Sequence, residues 1–150
     1  MKECNEKVNM EIMDLNNKCK LTIKYYILVV FASFITSIPL LFINHNNNTS
    51  INYSLVMILD VLLFAPILEE LFFRYLIINK LKKHFQWNYK YYLLISAFLF
   101  AIYHMQLYLI PYMVTGVIYG YLYIKTNDIR TSIVCHFLYN LTVLVIYFFI

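Results

Sequence analysis

Residues 64–74 read FAPILEELFFR, and this stretch indicates both the fold class and the place to look for chemistry. Glu69, Glu70 and Arg74 are charged, and the other residues of the stretch are apolar. A charged side chain costs roughly 2.5–3.5 kcal/mol at the centre of a membrane helix, so such residues are rare there and usually face a site or a partner. Three charges within six residues therefore predict a functional cluster, because packing alone does not explain them.

The composition is that of a membrane protein. The chain has 150 residues, of which 62% are hydrophobic and 13% are charged, and its mean hydropathy is +0.66. Soluble domains are about half apolar and about a quarter charged. We therefore expect one all-α integral membrane protein with about five transmembrane helices. Three cysteines without metal or disulfide spacing are interpreted as reduced thiols: Cys4, Cys19 and Cys135.

Apolar runs predict the positions of the membrane spans, which are Tyr25–Ile43, Ser54–Ile78, Tyr91–Met105, Leu109–Ile124 and Ile129–Ile150. With the N-terminus in the cytoplasm, every lysine and arginine of the loops and the tail lies on the cytoplasmic side. The net charge of +4 is then a topology signal and does not indicate binding of nucleic acid. We expect residues 1–20 to form a short cytoplasmic helix, the first span to act as a signal anchor, and Asn44–Tyr53 to be an outer loop.

Two further features concern backbone geometry. Gly116 and Gly120 form a G-x-x-x-G pattern, which allows a neighbouring helix to approach closely. Packing within the chain is the first interpretation, and a homodimer through the same two glycines is the alternative. Pro66 removes a backbone donor just before the glutamates and predicts a kink or local unwinding there.

Three of the predicted spans carry a pair of residues at a spacing of four, with at least one polar member in each pair, which places both members on one helical face. The pairs are Glu70 with Arg74, Phe100 with His104, and His136 with Asn140. Counted from the ends of their helices, all of these residues can meet near the middle of the membrane. The sequence therefore predicts a polar pocket built from several helices.

Such a pocket can hydrolyse a peptide bond. A desolvated carboxylate is suited to act as a general base for water, a role that fits Glu69, and His104 could hold that water. His136 and Asn140 could donate hydrogen bonds to an oxyanion. Glu70 and Arg74 would then support the geometry as an ion pair and need not touch the substrate.

A metal site is the open alternative. Two histidines and a carboxylate with one free position form a hydrolytic zinc set, which here would be Glu69, His104 and His136. The sequence lacks the H-E-x-x-H pattern of zinc proteases. Asp60 is expected either to accept a hydrogen bond from His104 or to cap the polar cluster. Cys135 is interpreted as a small buried apolar residue and not as a nucleophile.

These three motifs, in this order, resemble those of the CAAX protease and bacteriocin-processing family of intramembrane proteases, also called the Abi family. The resemblance covers roughly residues 54–150, which it identifies as a four-helix protease core, and it leaves residues 1–53 as an N-terminal segment, an extra helix and an outer loop. It implies that Glu69 and His104 activate water, that His136 and Asn140 form the oxyanion site, and that Glu70 and Arg74 support them. Within the family, a glutamate protease and a metalloprotease with Zn²⁺ are competing descriptions.

The resemblance also implies a setting for the activity. We expect a multi-pass protein of a bacterial cell membrane that cleaves a membrane-associated protein or peptide, with a role in bacteriocin self-immunity or peptide maturation. Tyr75 stands where many members have glycine, which weakens the expectation of farnesylated CAAX substrates in particular. Two other functions are carried as alternatives: a non-catalytic immunity or scaffold protein, and a proton or ion transporter, which the lack of an inverted repeat disfavours.

Overall fold

The structure is a computed structural model that describes residues 2–43, 54–106 and 108–149, with the side chains of residues 2–13 and 40–43 left out. Within these residues the chain is helical and contains no strand. We number the helices α1 (Lys2–Ile43), α2 (residues 55–84), α3 (Tyr89–Tyr103), α4 (Ile110–Thr126) and α5 (Ile129–Phe149). The predicted outer loop Asn44–Tyr53 lies outside the described residues.

Polar side chains and one left-handed residue set the helix ends. The Ser54 hydroxyl accepts a hydrogen bond from the Met57 N–H at 3.3 Å where α2 begins, and the Asn88 side chain caps α3 by accepting from Lys90. α4 ends at Asn127, whose φ of 49° is a left-handed conformation that asparagine tolerates. The connection to α5 is therefore very short, and it forces α4 and α5 to run side by side.

The first helix differs from the prediction. Instead of a separate cytoplasmic helix followed by a span from Tyr25, α1 runs without interruption from Lys2 to Ile43. Residues 2–24 contain neither glycine nor proline, so nothing in the polar segment stops the helix. Among the described residues, two helices are long and apolar enough to cross a membrane, Asp14–Pro39 and Ile129–Phe149. The number of spans and the orientation of the N-terminus stay predictions.

The packing places α4 at the centre. It contacts α1, α3 and α5, while α2 lies against α3 and α5. The main core cluster joins α1, α4 and α5 through Tyr25, Val29, Ile118, Tyr119, Leu122 and Cys135. Many large apolar side chains remain on the outside, among them Phe34 at 70% and Val56 at 75% exposure. An apolar exterior of this kind is what a lipid-facing surface requires.

The two glycines of α4 pack against α3 of the same chain. A Cβ atom on Gly116 would lie 3.1 Å from the Ala97 Cα, and one on Gly120 would lie 2.6 Å from a methyl group of Leu93. The intramolecular use predicted for the G-x-x-x-G pattern is thus present in the fold. The homodimer through the same residues stays a prediction.

α2 is continuous but irregular. It alternates between α-helical and π-helical geometry in the order Leu55–Leu59 (α), Asp60–Phe64 (π), Ala65–Glu69 (α), Glu70–Ile78 (π) and Asn79–His84 (α). The helix stays continuous at Pro66, and just before it the helix widens to π-helical geometry: the Ala65 N–H bonds to the Asp60 carbonyl, one residue beyond its α-helical partner. This widened helix carries Glu69, Glu70 and Arg74.

Candidate active site

Glu70 and Arg74 form a fully buried ion pair at the centre of the bundle. Both side chains have 0% exposure, and the Arg74 Nε lies 3.2 Å from the Glu70 Oε2. The spacing of four on α2 predicted this contact, and the structure forms it. Arg74 also donates from Nη2 to the Gly116 carbonyl at 3.4 Å, so the pair ties α2 to α4.

His136 extends the cluster from α5 and contacts both glutamates. Its Nδ1 lies 3.1 Å from the Glu70 Oε1, and its Nε2 lies 3.8 Å from the Glu69 Oε2. A carboxylate against Nδ1 fixes the orientation of the ring and favours a proton on that nitrogen. Nε2 is then the atom that faces Glu69, whose side chain keeps 13% exposure while that of Glu70 has none. The two adjacent glutamates therefore have different environments.

Tyr119 and Ser132 complete this cluster, and neither was singled out from the sequence. Tyr119 stacks on the His136 ring at 4.7 Å with an interplanar angle of 18°. Ser132 is buried on α5 one turn before His136, and its hydroxyl donates to the Ile129 carbonyl at 3.0 Å. Ser132 precedes His136 by four residues on α5, so the spacing that paired the other site residues could have found it. No comparable signal marks Tyr119, whose position depends on how α4 packs against α5.

His104 lies at the margin of the cluster. It follows the last residue of α3 and is half-buried, its Nδ1 lies 2.9 Å from the Phe100 carbonyl oxygen, and its ring packs on Tyr112 at 4.2 Å. Among the described residues, no hydrogen bond or ion pair joins it to Glu69. The structure therefore brings together Glu69, the buried ion pair and His136. His104 lies beside them and pairs with a carbonyl of its own helix.

Asn140 is anchored to the backbone of α2. Its Nδ2 donates to the Val61 carbonyl at 2.9 Å. Because Ala65 bonds to Asp60, the next π-helical partner for Val61 would be the nitrogen of Pro66, which carries no hydrogen. Asn140 thus supplies the donor that Pro66 lacks. An amide group has two N–H donors, so the second stays available to a ligand.

Two secondary predictions are decided by the same geometry. Asp60 is exposed, and no hydrogen bond joins it to His104 within the described part of the chain, so the first of its two alternative roles is wrong and the capping of the polar cluster stays a prediction. The His104 ring nitrogen pairs with its own helix instead. Cys135 has 0% exposure and belongs to the core cluster, which confirms its interpretation as a buried small residue. Cys19 and Cys135 are both free thiols.

The donor set for a metal was tested against the same positions. Within the described residues, no three His, Cys, Asp or Glu side chains form a group that could hold a metal ion. Glu69 and His136 of the proposed zinc set lie together, and no hydrogen bond or ion pair joins His104 to either of them among the described residues, so the zinc set stays a prediction.

The comparisons with known proteins bear on the family. The model of the Rce1-like family, described as type II CAAX prenyl endopeptidase Rce1-like, matches residues 51–142. No curated protein and no solved structure gives a match. The matched region spans more than half of the chain and contains every residue of the site. The chain therefore belongs to the Rce1-like family of CAAX-type proteases, which are embedded in membranes.

Proposed function

We propose that this protein is an intramembrane endopeptidase in which Glu69 activates water for attack on a peptide bond. The observation that carries the proposal is the position of His136, held by Glu70 through Nδ1 and facing Glu69 through Nε2. A base and a hydrogen-bonding group that face each other across 3.8 Å can act on the same reacting atoms. The partial exposure of Glu69 leaves it reachable, whereas Glu70 is sealed.

The chemical steps follow from these contacts. Glu69 takes a proton from water while the water oxygen bonds to the peptide carbonyl carbon, and the carbonyl oxygen becomes an oxyanion. His136 donates from Nε2 to that oxyanion, and the Glu70 carboxylate at Nδ1 orients its ring for this contact. The second N–H of Asn140 is the other donor. The C–N bond then breaks, and the leaving nitrogen takes the proton from Glu69, so that a carboxylic acid and an amine result.

We assign to His104 the role of holding the attacking water by a hydrogen bond. Its Nδ1 is engaged by the Phe100 carbonyl, which leaves Nε2 free for a hydrogen bond. This role needs the water to bridge His104 and Glu69, since no direct bond joins them among the described residues. Glu70 and Arg74 act on His136 and do not touch the substrate.

The substrate is proposed to be a membrane-associated protein or peptide. The protein would cross a bacterial membrane several times with its N-terminus in the cytoplasm, and its role would be bacteriocin self-immunity or peptide maturation. Tyr75, where many relatives have glycine, is 51% exposed on α2. A bulky side chain there favours a substrate that lacks a farnesyl group.

The experiment uses the full chain in lipid nanodiscs with two quenched fluorescent peptides, a farnesylated CAAX-type peptide and its unmodified counterpart. Glu69→Gln keeps the size of the side chain and removes the base, so we expect hydrolysis to fall at least about 100-fold. Arg130→Gln is the control, because Arg130 is 78% exposed and its ion pair with Asp128 lies outside the site. Cleavage by Glu69→Gln at the rate of the wild type would contradict the proposal.

A cellular test separates the enzymatic role from an immunity role without chemistry. Glu69→Gln and His136→Ala are compared with the wild type for protection of a bacteriocin-producing strain. Loss of protection in both variants, with unchanged membrane levels, is expected if proteolysis provides immunity. Full protection by both would assign immunity to binding.

A further inference from the structure

One aromatic ring contacts three of the six site residues. Phe100 is 1% exposed on α3, and its ring centroid lies 4.3 Å from the Arg74 Cζ. The same ring meets His104 at 4.5 Å and His136 at 5.9 Å in edge-to-face geometry. Phe100 is therefore the point where residues from α2, α3 and α5 come together.

The contact with Arg74 matters because hydrogen bonds hold the guanidinium weakly. Within the described residues, its Nε and Nη1 have no partner with good hydrogen-bond geometry, and its Nη2 makes a long bond of 3.4 Å. Two other rings, Phe73 and Tyr119, lie farther away, at 5.9 and 5.7 Å. A desolvated cation over an aromatic face is attracted by the ring quadrupole. The face of Phe100 is thus the closest of the three aromatic rings around the cation.

The ring itself has little freedom to move. A Cβ atom on Gly116 would lie 3.1 Å from the Phe100 Cδ1, so only glycine leaves the space that the ring occupies. Phe73 packs edge-on at 5.5 Å from another side. The close approach of α3 and α4 therefore restricts the position of the Phe100 ring.

We propose that Phe100 is a positioning residue whose ring face holds the Arg74 guanidinium in the orientation that keeps Glu70 against His136. The proposal rests on the proposed function of the same site and adds a task for a motif residue that no catalytic step uses. It acts through Arg74, so its effect on chemistry is indirect. A weaker negative electrostatic potential on the ring face should then slow turnover without a change in substrate binding.

Fluorinated phenylalanines test this idea, because added fluorine weakens the ring quadrupole while the ring keeps nearly the same shape. Mono-, di- and trifluorophenylalanine are introduced at position 100, and kcat and KM are measured with the cleaved peptide. We expect kcat to fall stepwise, by about tenfold for the trifluorinated ring, with KM unchanged. The same series at Phe98, a 49% exposed residue of α3, is the control and should change neither value. A kcat that does not depend on fluorine at position 100 would overturn the proposal while the protease function stands.

A second measurement does not need turnover. The chain has two arginines, Arg74 and Arg130, so ¹⁵N-arginine labelling gives two side-chain Nε–H resonances in nanodiscs. The trifluorinated ring at position 100 should move the Arg74 resonance and leave that of Arg130 in place. An unmoved Arg74 resonance would overturn the proposal. If the wild type cleaves neither peptide, the protease function fails, and this resonance still decides the role of Phe100.

Discussion

Two carboxylate–arginine pairs occur among the described side chains: Glu70 with Arg74 in the site, called the inner pair, and Asp128 with Arg130 at the start of α5, called the outer pair. The outer pair has the better geometry: Arg130 donates from Nε and Nη2 to the two oxygens of Asp128 at 2.9 and 2.7 Å. The inner pair, Glu70 with Arg74, is longer at 3.2 Å but has 0% exposure on both sides. A shorter contact distance therefore does not mean that losing a partner has a larger effect on stability. Water can solvate the 78% exposed Arg130 side chain of the outer pair, whereas both side chains of the inner pair have no exposed surface.

The loss of one partner of the inner pair should have the largest effect on stability. Glu70→Gln leaves the Arg74 charge buried without a counterion, so we expect the free energy of unfolding to fall by about 3–5 kcal/mol. Activity should be lost as well, because His136 loses the carboxylate at Nδ1. Unfolding in detergent and peptide cleavage are measured together. A loss of stability below that of the outer-pair variants would contradict the comparison.

The double variant Glu70→Leu with Arg74→Met separates stability from chemistry. Replacing a buried ion pair by apolar residues of similar size is often neutral or stabilising, so most of the lost stability should return. Activity should not return, since the support of His136 is still missing. A double variant as unstable as Glu70→Gln would mean that the pair is needed for packing itself.

A smaller effect is expected where Asn140 compensates for Pro66. Asn140→Ala leaves the Val61 carbonyl without a donor and should cost about 1–3 kcal/mol of unfolding free energy. In a Pro66→Ala background, residue 66 regains an N–H that can bond to Val61, so the cost of Asn140→Ala should shrink. The double-mutant cycle measures this coupling. Equal costs in both backgrounds would show that the two residues act independently.

The glycines of α4 offer a matched pair of substitutions around the buried site. Gly116→Ala presses a methyl group against the Ala97 backbone and the Phe100 ring, so we expect a loss of about 1–3 kcal/mol in stability. Gly120→Ala meets only the end of the flexible Leu93 side chain, which can rotate away, and should cost less. Thermal unfolding compares the two. A larger cost at Gly120 would mean that α3 yields more easily than Leu93.

The smallest effect belongs to the outer pair. The Arg130 side chain, the main cause, lowers the pKa of Asp128 from its ordinary 3.8 to about 2. A lowered carboxyl pKa stabilises the fold above its ordinary value and loses that contribution as the pH falls toward 2. Asp128→Asn should therefore lower the unfolding temperature by at most about 3 °C at pH 7, and the difference should vanish near pH 2. A difference that grows on acidification would contradict the assignment.

The site was predictable from sequence to the extent that helical spacing governs it. The pairing of Glu70 with Arg74 needs one helix, and a spacing of four is sufficient to predict it. The contact of His136 with Glu70 joins residues that are 66 positions apart, and the sequence predicted a shared depth but not which atoms meet. The anchoring of Asn140 to Val61 was missed, because it depends on the π-helical shift of α2, which no periodicity reveals.

The sequence by itself determined the helical class, the positions of the apolar runs and the residues that carry charge into them. These properties are local, since composition and a spacing of four depend on the chain alone. Only the tertiary structure decided how far each of the two adjacent glutamates is buried: the Glu70 side chain has 0% exposure and that of Glu69 keeps 13%. Neighbouring residues on a helix point about 100° apart. The Glu70 side chain is therefore enclosed with Arg74 by α4 and α5, while the Glu69 side chain faces His136 and keeps partial exposure. Burial, which separates the supporting carboxylate from the proposed base, is a property of the packed bundle.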